Sequence, residues 1–264
     1  MKKISRLMAL LPVVILFLSA PGFAAPAAGG KEVYEIKVYR YNSADQEKGV
    51  DDYLQHVLIP SLHKTGIVKI GVFKPLANDT AAEKKIYVFI PFKSLEQWHS
   101  QAVSPKAEPA AGAPGGAYVN AAYNVLPYIR MESILLEAFP LATQMQLPAL
   151  KGPHEEHIYE LRSYESPTEQ YNASKVKMFN TGGEIALFKR LGFNGIFYAE
   201  VLSGSHMPNL MYMTSFDNKQ ARDDHWKAFG NDDEWKKLKA LPEYQNNVSK
   251  AEVVLCHAAP YSDL

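Results

Sequence analysis

The 264-residue chain balances 28 Lys and Arg against 28 Asp and Glu, and 47% of its residues are hydrophobic. Because no Lys/Arg cluster gives it a basic surface, the composition excludes the electrostatic footprint of a nucleic-acid-binding protein. The single cysteine, Cys256, excludes an internal disulfide, and its apolar surroundings predict a buried, inert thiol rather than a nucleophile.

The first 24 residues have the pattern of a secretory signal peptide. Three cations among the first six residues precede an apolar stretch over 7–18, and a small-x-small site ends at Ala24. We expect cleavage near Ala24, followed by a flexible tether over 25–31; an uncleaved anchor helix is the alternative. Cleavage leaves 25 cations against 28 anions and no membrane span, in a periplasmic or secreted protein.

The chain contains an internal repeat. The hexapeptide Tyr-Glu-Ile-Lys-Val-Tyr at 34–39 recurs 125 residues later as Tyr-Glu-Leu-Arg-Ser-Tyr at 159–164. An internal repeat is stronger evidence about the architecture of a chain than any local motif. The repeat predicts two copies of one domain, each of about 120 residues and large enough for its own core.

The first copy is predicted to contain four strands and two helices. Its strands are expected at 33–41, 68–74, 85–92 and 128–138. A capping box at Ser43 begins a helix whose apolar residues recur at helical spacing as far as Leu62, and Pro60 should kink it or begin a new turn. The second helix carries Trp98 and precedes an Ala/Pro/Gly loop over 103–116 without periodicity.

The second copy follows a Pro-containing linker and repeats that order. Its strands are expected at 156–164, 194–202, 209–216 and 251–257. A capping box at Ser166, with Pro167 in the first helical position, begins a helical stretch that is interrupted near Gly182. We therefore expect domains over 32–139 and 155–264, joined by a linker over 140–154.

Each copy thus has the order β-α-β-β-α-β, the split βαβ unit of a ferredoxin-like sandwich. Such a sheet carries helices on one face only, so its other face must be covered. The predicted fold class is α+β: two tandem ferredoxin-like domains packed sheet to sheet, equivalent to a homodimer within one chain. Further association into a homo-oligomer stays open.

Features of the second copy resemble the NIPSNAP family of the dimeric α+β barrel superfamily. They are the hexapeptide at 159–164, the strand start Gly195-Ile196-Phe197, the spacing Asp217…Arg222…Trp226 and the segment Asp233-Glu234-Trp235. The resemblance covers about 156–264, and the first copy looks like a degenerate repeat. It implies a tandem, intrachain dimeric α+β barrel but no reaction, because the family has no agreed activity.

Strand alternation divides the repeated hexapeptides between two faces. The apolar face is expected to contact the helices, and the polar face to line the shared barrel interior. The polar residues, which we predict to be ligand-binding, are Glu35, Lys37, Tyr39, Glu160, Arg162 and Tyr164. A structural ion pair that locks the sheets together is one interpretation; the other is a cavity in which Arg162 and Tyr164 bind an anionic or carbonyl ligand.

Aromatic and histidine side chains supply the remaining candidates. Trp226 and Trp235 are either core anchors or walls of an aromatic pocket, and we include Trp226 among the ligand-binding candidates. His225 is a weak candidate for a catalytic base. His206, His225 and His257 are conceivable haem ligands, and His154 with His157 a conceivable zinc pair, but none has the required motif. No cofactor or metal is expected.

Three functions are compatible with these patterns. The first is an exported tandem barrel that binds a small hydrophobic or anionic ligand, or a partner, at the domain interface. The second is a cofactor-independent enzyme, similar to a monooxygenase or isomerase, that acts on a small hydrophobic or aromatic molecule. The third is a purely structural protein-interaction module. A cavity of several hundred cubic ångströms at Arg162 or Tyr164 would favour the first two.

Overall fold

The computed structural model describes residues 30–103, 109 and 112–264. The predicted signal peptide, residues 25–29 of the predicted tether and the middle of the predicted loop over 103–116 lie outside that range. Within the described residues, no helix is long and apolar enough to cross a membrane.

The described chain forms an order of strands and helices that repeats once. The strands are β1 (Val33–Tyr41), β2 (Gly71–Pro75), β3 (Lys84–Phe92), β4 (Arg130–Ala138), β5 (Ile158–Glu165), β6 (Asn194–Ser203), β7 (Asn209–Phe216) and β8 (Lys250–Ala258). The α-helices are α1 (Ala44–Tyr53), α2 (Ile59–Lys64), α3 (Leu95–Val103), α4 (Gly116–Val119), α5 (Glu169–Phe179), α6 (Glu184–Arg190), α7 (Lys219–Asn231) and α8 (Asp233–Ala240). We call β1–β4 with α1–α4 the N-terminal half and the remainder the C-terminal half.

The eight strands close into one barrel in the order β1-β3-β2-β8-β5-β7-β6-β4. Each half contributes four neighbouring antiparallel strands. The halves are joined where β2 pairs with β8 and β4 pairs with β6. Closure satisfies the strand edges that an open sheet would expose. The predicted fold, two ferredoxin-like units forming an intrachain α+β barrel, is confirmed.

The barrel interior is apolar, and here the prediction from strand alternation was wrong. Tyr34, Ile36 and Val38 point inward with apolar residues of the other strands. Phe89 of one half stacks on Phe197 of the other, with ring centroids 4.8 Å apart. The apolar face of each repeated hexapeptide therefore joins the two halves. Its polar face lies beneath the helices.

A separate core lies between the sheet and the helices of each half. In the N-terminal half, α1, α2 and the π-helical turn Leu54–Leu58 between them pack on outward-facing residues of β1 and β3. In the C-terminal half, Phe179, Phe188 and Phe229 fill the same layer. Both faces of most strands are thus buried, one by the helices and one by the other half.

The structure differs most from the local predictions at β2 and at the beginning of α5. β2 begins at Gly71 rather than at 68. The helix α5 is capped by Thr168, whose side chain accepts a hydrogen bond from the Tyr171 N–H, and not by Ser166. Ser166 is buried and donates its hydroxyl to the backbone oxygen of Asn247 instead. Because the exposed Thr168 caps the N-terminus of α5, the hydroxyl of Ser166 is available for a tertiary contact.

Candidate functional site

Two equivalent positions beneath the helices contain the predicted site residues. In the N-terminal half, Glu35 pairs with Ile90 across β1 and β3, as Glu160 pairs with Thr214 across β5 and β7. Lys37 and Tyr39 correspond in the same register to Arg162 and Tyr164. The two predicted triplets therefore occupy equivalent strand positions, each beneath the helices of its own half. They do not meet in the barrel interior.

In the C-terminal half, the carboxylate of Glu160 is fully buried. Arg222 binds it through two nitrogens, Nε to Oε2 at 2.6 Å and Nη2 to Oε1 at 3.2 Å. Arg162 Nε donates to Oε1 at 2.5 Å, and Trp226 Nε1 donates to Oε2 at 2.9 Å. Buried carboxylates are tolerated when charge-assisted bonds surround them, and this one has both its oxygens satisfied.

Arg162 is the centre of this arrangement. Its guanidinium lies 3.7 Å from the centroid of the Trp226 ring, and its Nη1 donates to the Tyr164 hydroxyl at 2.9 Å. The Tyr164 and Tyr212 hydroxyls are also 2.9 Å apart. We call Glu160, Arg162, Tyr164, Arg222 and Trp226 the C-terminal cluster. The side chains of this cluster bind one another. Trp226 packs against aromatic rings and also donates a hydrogen bond to Glu160.

Burial and neighbouring groups raise the pKa values of Tyr212 and Arg162. Burial raises the pKa of Tyr212 well above its ordinary value, and the neighbouring Tyr164 adds to the effect. Burial alone would lower the pKa of Arg162, but the adjacent Tyr212, Tyr164 and Glu160 raise it. Tyr212 is therefore neutral and Arg162 charged at neutral pH.

In the N-terminal half the equivalent position contains an open pocket. It has a volume of about 240 Å³ and lies between α2, α3 and the sheet. At its floor, Glu35 Oε1 accepts hydrogen bonds from Lys37 Nζ at 2.6 Å and from Ser133 Oγ at 2.5 Å. The walls are Leu58, Leu62, Ile90, Phe92, Trp98, Gln101 and Ala102. We call this the N-terminal pocket.

Tyr39, the third residue of this triplet, belongs to a cluster of tyrosines. Tyr53 and Tyr118 stack with ring centroids 3.9 Å apart, and Tyr39 contacts Tyr118 and Tyr128 edge to face. Burial is the main cause that raises the pKa of Tyr39. Tyr39 does not line the N-terminal pocket, so the structure places Glu35 and Lys37 there without it.

The helix that covers each position explains why one is open and the other closed. Ser94 caps α3 and Asn218 caps α7 with the same pattern, because each accepts hydrogen bonds from the residues three and four positions later. Counting from the caps places Trp98 opposite Arg222 and Ala102 opposite Trp226. Ala102 and Ser133 are not among the residues predicted from the sequence, although an alignment of the two helix caps identifies Ala102.

The remaining candidates lie apart from both positions. His225 lies at a shallow pocket of about 310 Å³ with Lys151, Asn194, Ser215 and Asp217, and its Nδ1 is 2.7 Å from the Ala221 carbonyl oxygen. Because that oxygen only accepts, Nδ1 must carry the proton. His206 lies near Glu165, and His257 contacts the His157 carbonyl. The structure does not bring these histidines together.

The interface between the halves offers little space. The cavity at the barrel mouth that residues of both halves line, among them Val38 and Leu161, has a volume of about 60 Å³. That suffices for a few water molecules and falls well short of the several hundred cubic ångströms typical of ligand sites. The predicted ligand site at the domain interface is therefore not what the geometry supports.

Comparison with solved structures shows the same fold in other proteins. A proposed monooxygenase from Lactobacillus acidophilus is 11% identical, with 86% of this chain and 94% of that chain covered and a TM-score of 0.56. A proposed monooxygenase from Fusobacterium nucleatum is 4% identical, with 87% and 93% covered and a TM-score of 0.52. An anthrone oxidase-like protein is 10% identical, with 87% and 92% covered and a TM-score of 0.51. At these identities the likeness shows the fold alone.

No curated protein is similar enough to match the chain. The family model of NIPSNAP matches residues 159–263, which begin at the repeated hexapeptide and include β5 to β8 and the whole C-terminal cluster. The N-terminal half repeats the same topology and register with different side chains beneath its helices. The C-terminal half of this barrel therefore matches the NIPSNAP family model over nearly its whole length.

Proposed function

We propose that the protein binds a small organic molecule in the N-terminal pocket. The observation that carries the proposal is the contrast between two equivalent positions: side chains fill the C-terminal cluster, while about 240 Å³ stays open above Glu35 and Lys37. The pocket is concave, mostly apolar and has a few convergent polar groups, which is the usual composition of a ligand site. The proposal moves the ligand from the domain interface to one half.

The size and lining of the pocket limit the ligand. Its volume lies below the range of about 300–1,000 Å³ for drug-sized sites, which favours a molecule of one or two rings. Lys37 and Glu35 are oppositely charged and already paired at 2.6 Å, so the floor favours a polar, not a strongly charged, group. Both charged side chains are mostly buried, so their bonds to a ligand would be protected from water.

Two tryptophan substitutions on α3 test the proposal. Ala102 lines the pocket, so Ala102→Trp should fill it, whereas His99→Trp adds the same side chain at a position of that helix outside the pocket. Protein purified from its native host would be analysed by native mass spectrometry, and a fragment library would be screened by ligand-observed NMR. We expect bound molecules in wild type and His99→Trp and none in Ala102→Trp. Binding that survives Ala102→Trp would overturn the proposal.

A second candidate is a cofactor-independent enzyme, as the monooxygenase-like fold of the neighbours allows. The observation in its favour is His225, which lies at a pocket and whose Nδ1 donates to the Ala221 carbonyl oxygen, so that Nε2 is the acceptor when the ring is neutral. Arg162 and Tyr164, the other sequence candidates, are already bound to Glu160 and Tyr212. Turnover of an aromatic substrate that His225→Asn abolishes while leaving the thermal midpoint unchanged would support this candidate.

We also propose that the protein is exported, on the strength of the N-terminal pattern alone. Expression of the full chain in a bacterial host and intact-mass analysis of the periplasmic fraction would test it. A mature chain that begins at Ala25 is the expected product. Recovery of the full-length mass from the cytoplasm or the membrane fraction would contradict it.

A further inference from the structure

We infer that the ligand of the N-terminal pocket is a planar aromatic molecule with one N–H or O–H donor, of the indole or phenol class. This inference rests on the proposed function and deepens it. The C-terminal half supports this inference, because the protein's own Trp226 occupies the equivalent position there. The indole of Trp226 shows which chemistry this geometry accepts.

Trp226 makes three kinds of contact in that position. Its ring lies flat against a cation, with Arg162 Cζ 3.7 Å from the centroid. Its Nε1 donates to Glu160 Oε2 at 2.9 Å. Its edges contact the rings of Phe188, Phe193 and Phe229. A cation, a carboxylate acceptor and apolar walls together select a flat ring with a donor on its edge.

The N-terminal pocket keeps the same three elements and lacks the ring. Lys37 stands at the position of Arg162, and Glu35 at that of Glu160. The apolar wall is formed by Leu58, Leu62 and Phe92 in place of the phenylalanines. Ala102, opposite Trp226, is too small to fill the space. Trp98 takes the place of Arg222 and Ala102 that of Trp226, so the position of the Trp226 indole itself is left open.

The acceptor that a ligand would use is also present. Glu160 Oε2 binds Arg222 and Trp226, but Trp98 and Ala102 stand at those two places in the N-terminal half. Lys37 and Ser133 both donate to Oε1 of Glu35, and no hydrogen bond to Oε2 forms within the part of the chain that the structure describes. Glu35 is 7% exposed and lines the pocket. A carboxylate oxygen that has no hydrogen-bond donor among the described residues favours a ligand that donates.

Calorimetric titration with a matched pair of probes tests the donor. Indole carries the N–H, and indene has nearly the same shape without it. We expect indole to bind wild type with a stoichiometry of one and indene to bind about 10- to 100-fold more weakly, because it lacks the hydrogen bond to a charged acceptor. Phenol should bind and benzene should not. Equal binding of indole and indene would overturn the donor requirement.

Variants separate this inference from the proposed function. Ala102→Trp should abolish indole binding, with His99→Trp as the matched control. One outcome is that aliphatic fragments bind wild type but not Ala102→Trp, and that no aromatic probe binds either protein. The proposed binding in the pocket is then supported and the aromatic class of ligand is wrong. If every probe binds Ala102→Trp as it binds wild type, both are wrong.

Trp226→Ala provides an independent arm in the other half. Removing the indole should create a second site, so the indole stoichiometry rises from one to two and added indole raises the thermal midpoint of this variant more than that of wild type. A folded Trp226→Ala protein that gains no second indole would contradict the equivalence of the two positions. If that variant does not fold, the Ala102→Trp and indene experiments decide the inference without it.

Discussion

Trp226 donates its indole N–H to the buried carboxylate of Glu160 at 2.9 Å while its ring covers the guanidinium of Arg162. One side chain thus satisfies the anion and shields the cation of the same ion pair. Arg222 completes the arrangement by binding both oxygens of Glu160. A buried charge with this many partners is costly to disturb, because removing any partner leaves the others unpaired inside the protein.

Glu160→Gln should strongly destabilise the protein. The amide has nearly the same shape, but it removes the negative charge that Arg162 and Arg222 share. Breaking a buried pair on one side costs about 3–5 kcal/mol, and we expect a loss of that order in the free energy of unfolding from urea titration.

The control for this prediction is Asp223→Asn. Asp223 also binds Arg222, at 2.9 Å, but its side chain is 41% exposed. Exposed ion pairs contribute about 0–1 kcal/mol, so this variant should stay close to wild type. Equal losses for the two substitutions would show that burial does not set the energy of the cluster.

The fold was predictable because the repeat, the capping residues and the strand periodicity agree with one another. The faces of the strands were not. Alternation separates Tyr34 and Ile36 from Glu35 and Lys37, but both faces are buried in this barrel, one by helices and one by the other half. A pattern of period two says which residues share a face, and it cannot say which layer that face meets.

The site was predictable only in part, for a related reason. Charged residues such as Glu35 and Arg162 are conspicuous in a strand, and they do lie at the two candidate positions. Ala102 is conspicuous nowhere in the sequence. Ala102 is important because it is much smaller than Trp226, the residue at the equivalent position. This difference is visible only after the two halves are aligned by strand register and helix cap.

Phe197→Ala tests the observed orientation of the strands. Phe197 is almost fully buried in the barrel interior and contacts Tyr34 and Phe89 of the other half. Truncating a buried phenylalanine costs about 3–5 kcal/mol, so urea unfolding should show a loss in that range. Tyr123→Ala, at a position that is 97% exposed, should change stability by less than about 0.5 kcal/mol.

A double-mutant cycle extends this test to the contact between the halves. Phe89→Ala combined with Phe197→Ala should show a coupling of about 0.5–1.5 kcal/mol, the usual range for a packed aromatic pair. The measurement is the same urea titration on the four proteins of the cycle. Strictly additive losses would mean that the two rings do not stabilise the junction of the halves directly.

Cys256 should be unreactive in the folded protein. Its side chain is fully buried on β8, and burial raises the pKa of its thiol. The thiolate is the reactive form, so iodoacetamide at neutral pH should modify Cys256 only after denaturation, as measured by intact mass. Rapid labelling of the native protein would show that the barrel opens at β8 or that the thiol is accessible.

The buried tyrosines should make the protein unstable at alkaline pH. Burial raises the pKa of Tyr212 in the folded state, while the unfolded chain keeps the ordinary value of about 10. Above about pH 10 the unfolded chain therefore loses its proton first, and the equilibrium shifts toward unfolding. The stability is fully present below that pH and declines as the pH rises further. Tyr212→Phe removes one such group, so urea titrations at increasing pH should show a shallower decline for this variant than for wild type; an equally steep decline would place the alkaline transition at other tyrosines.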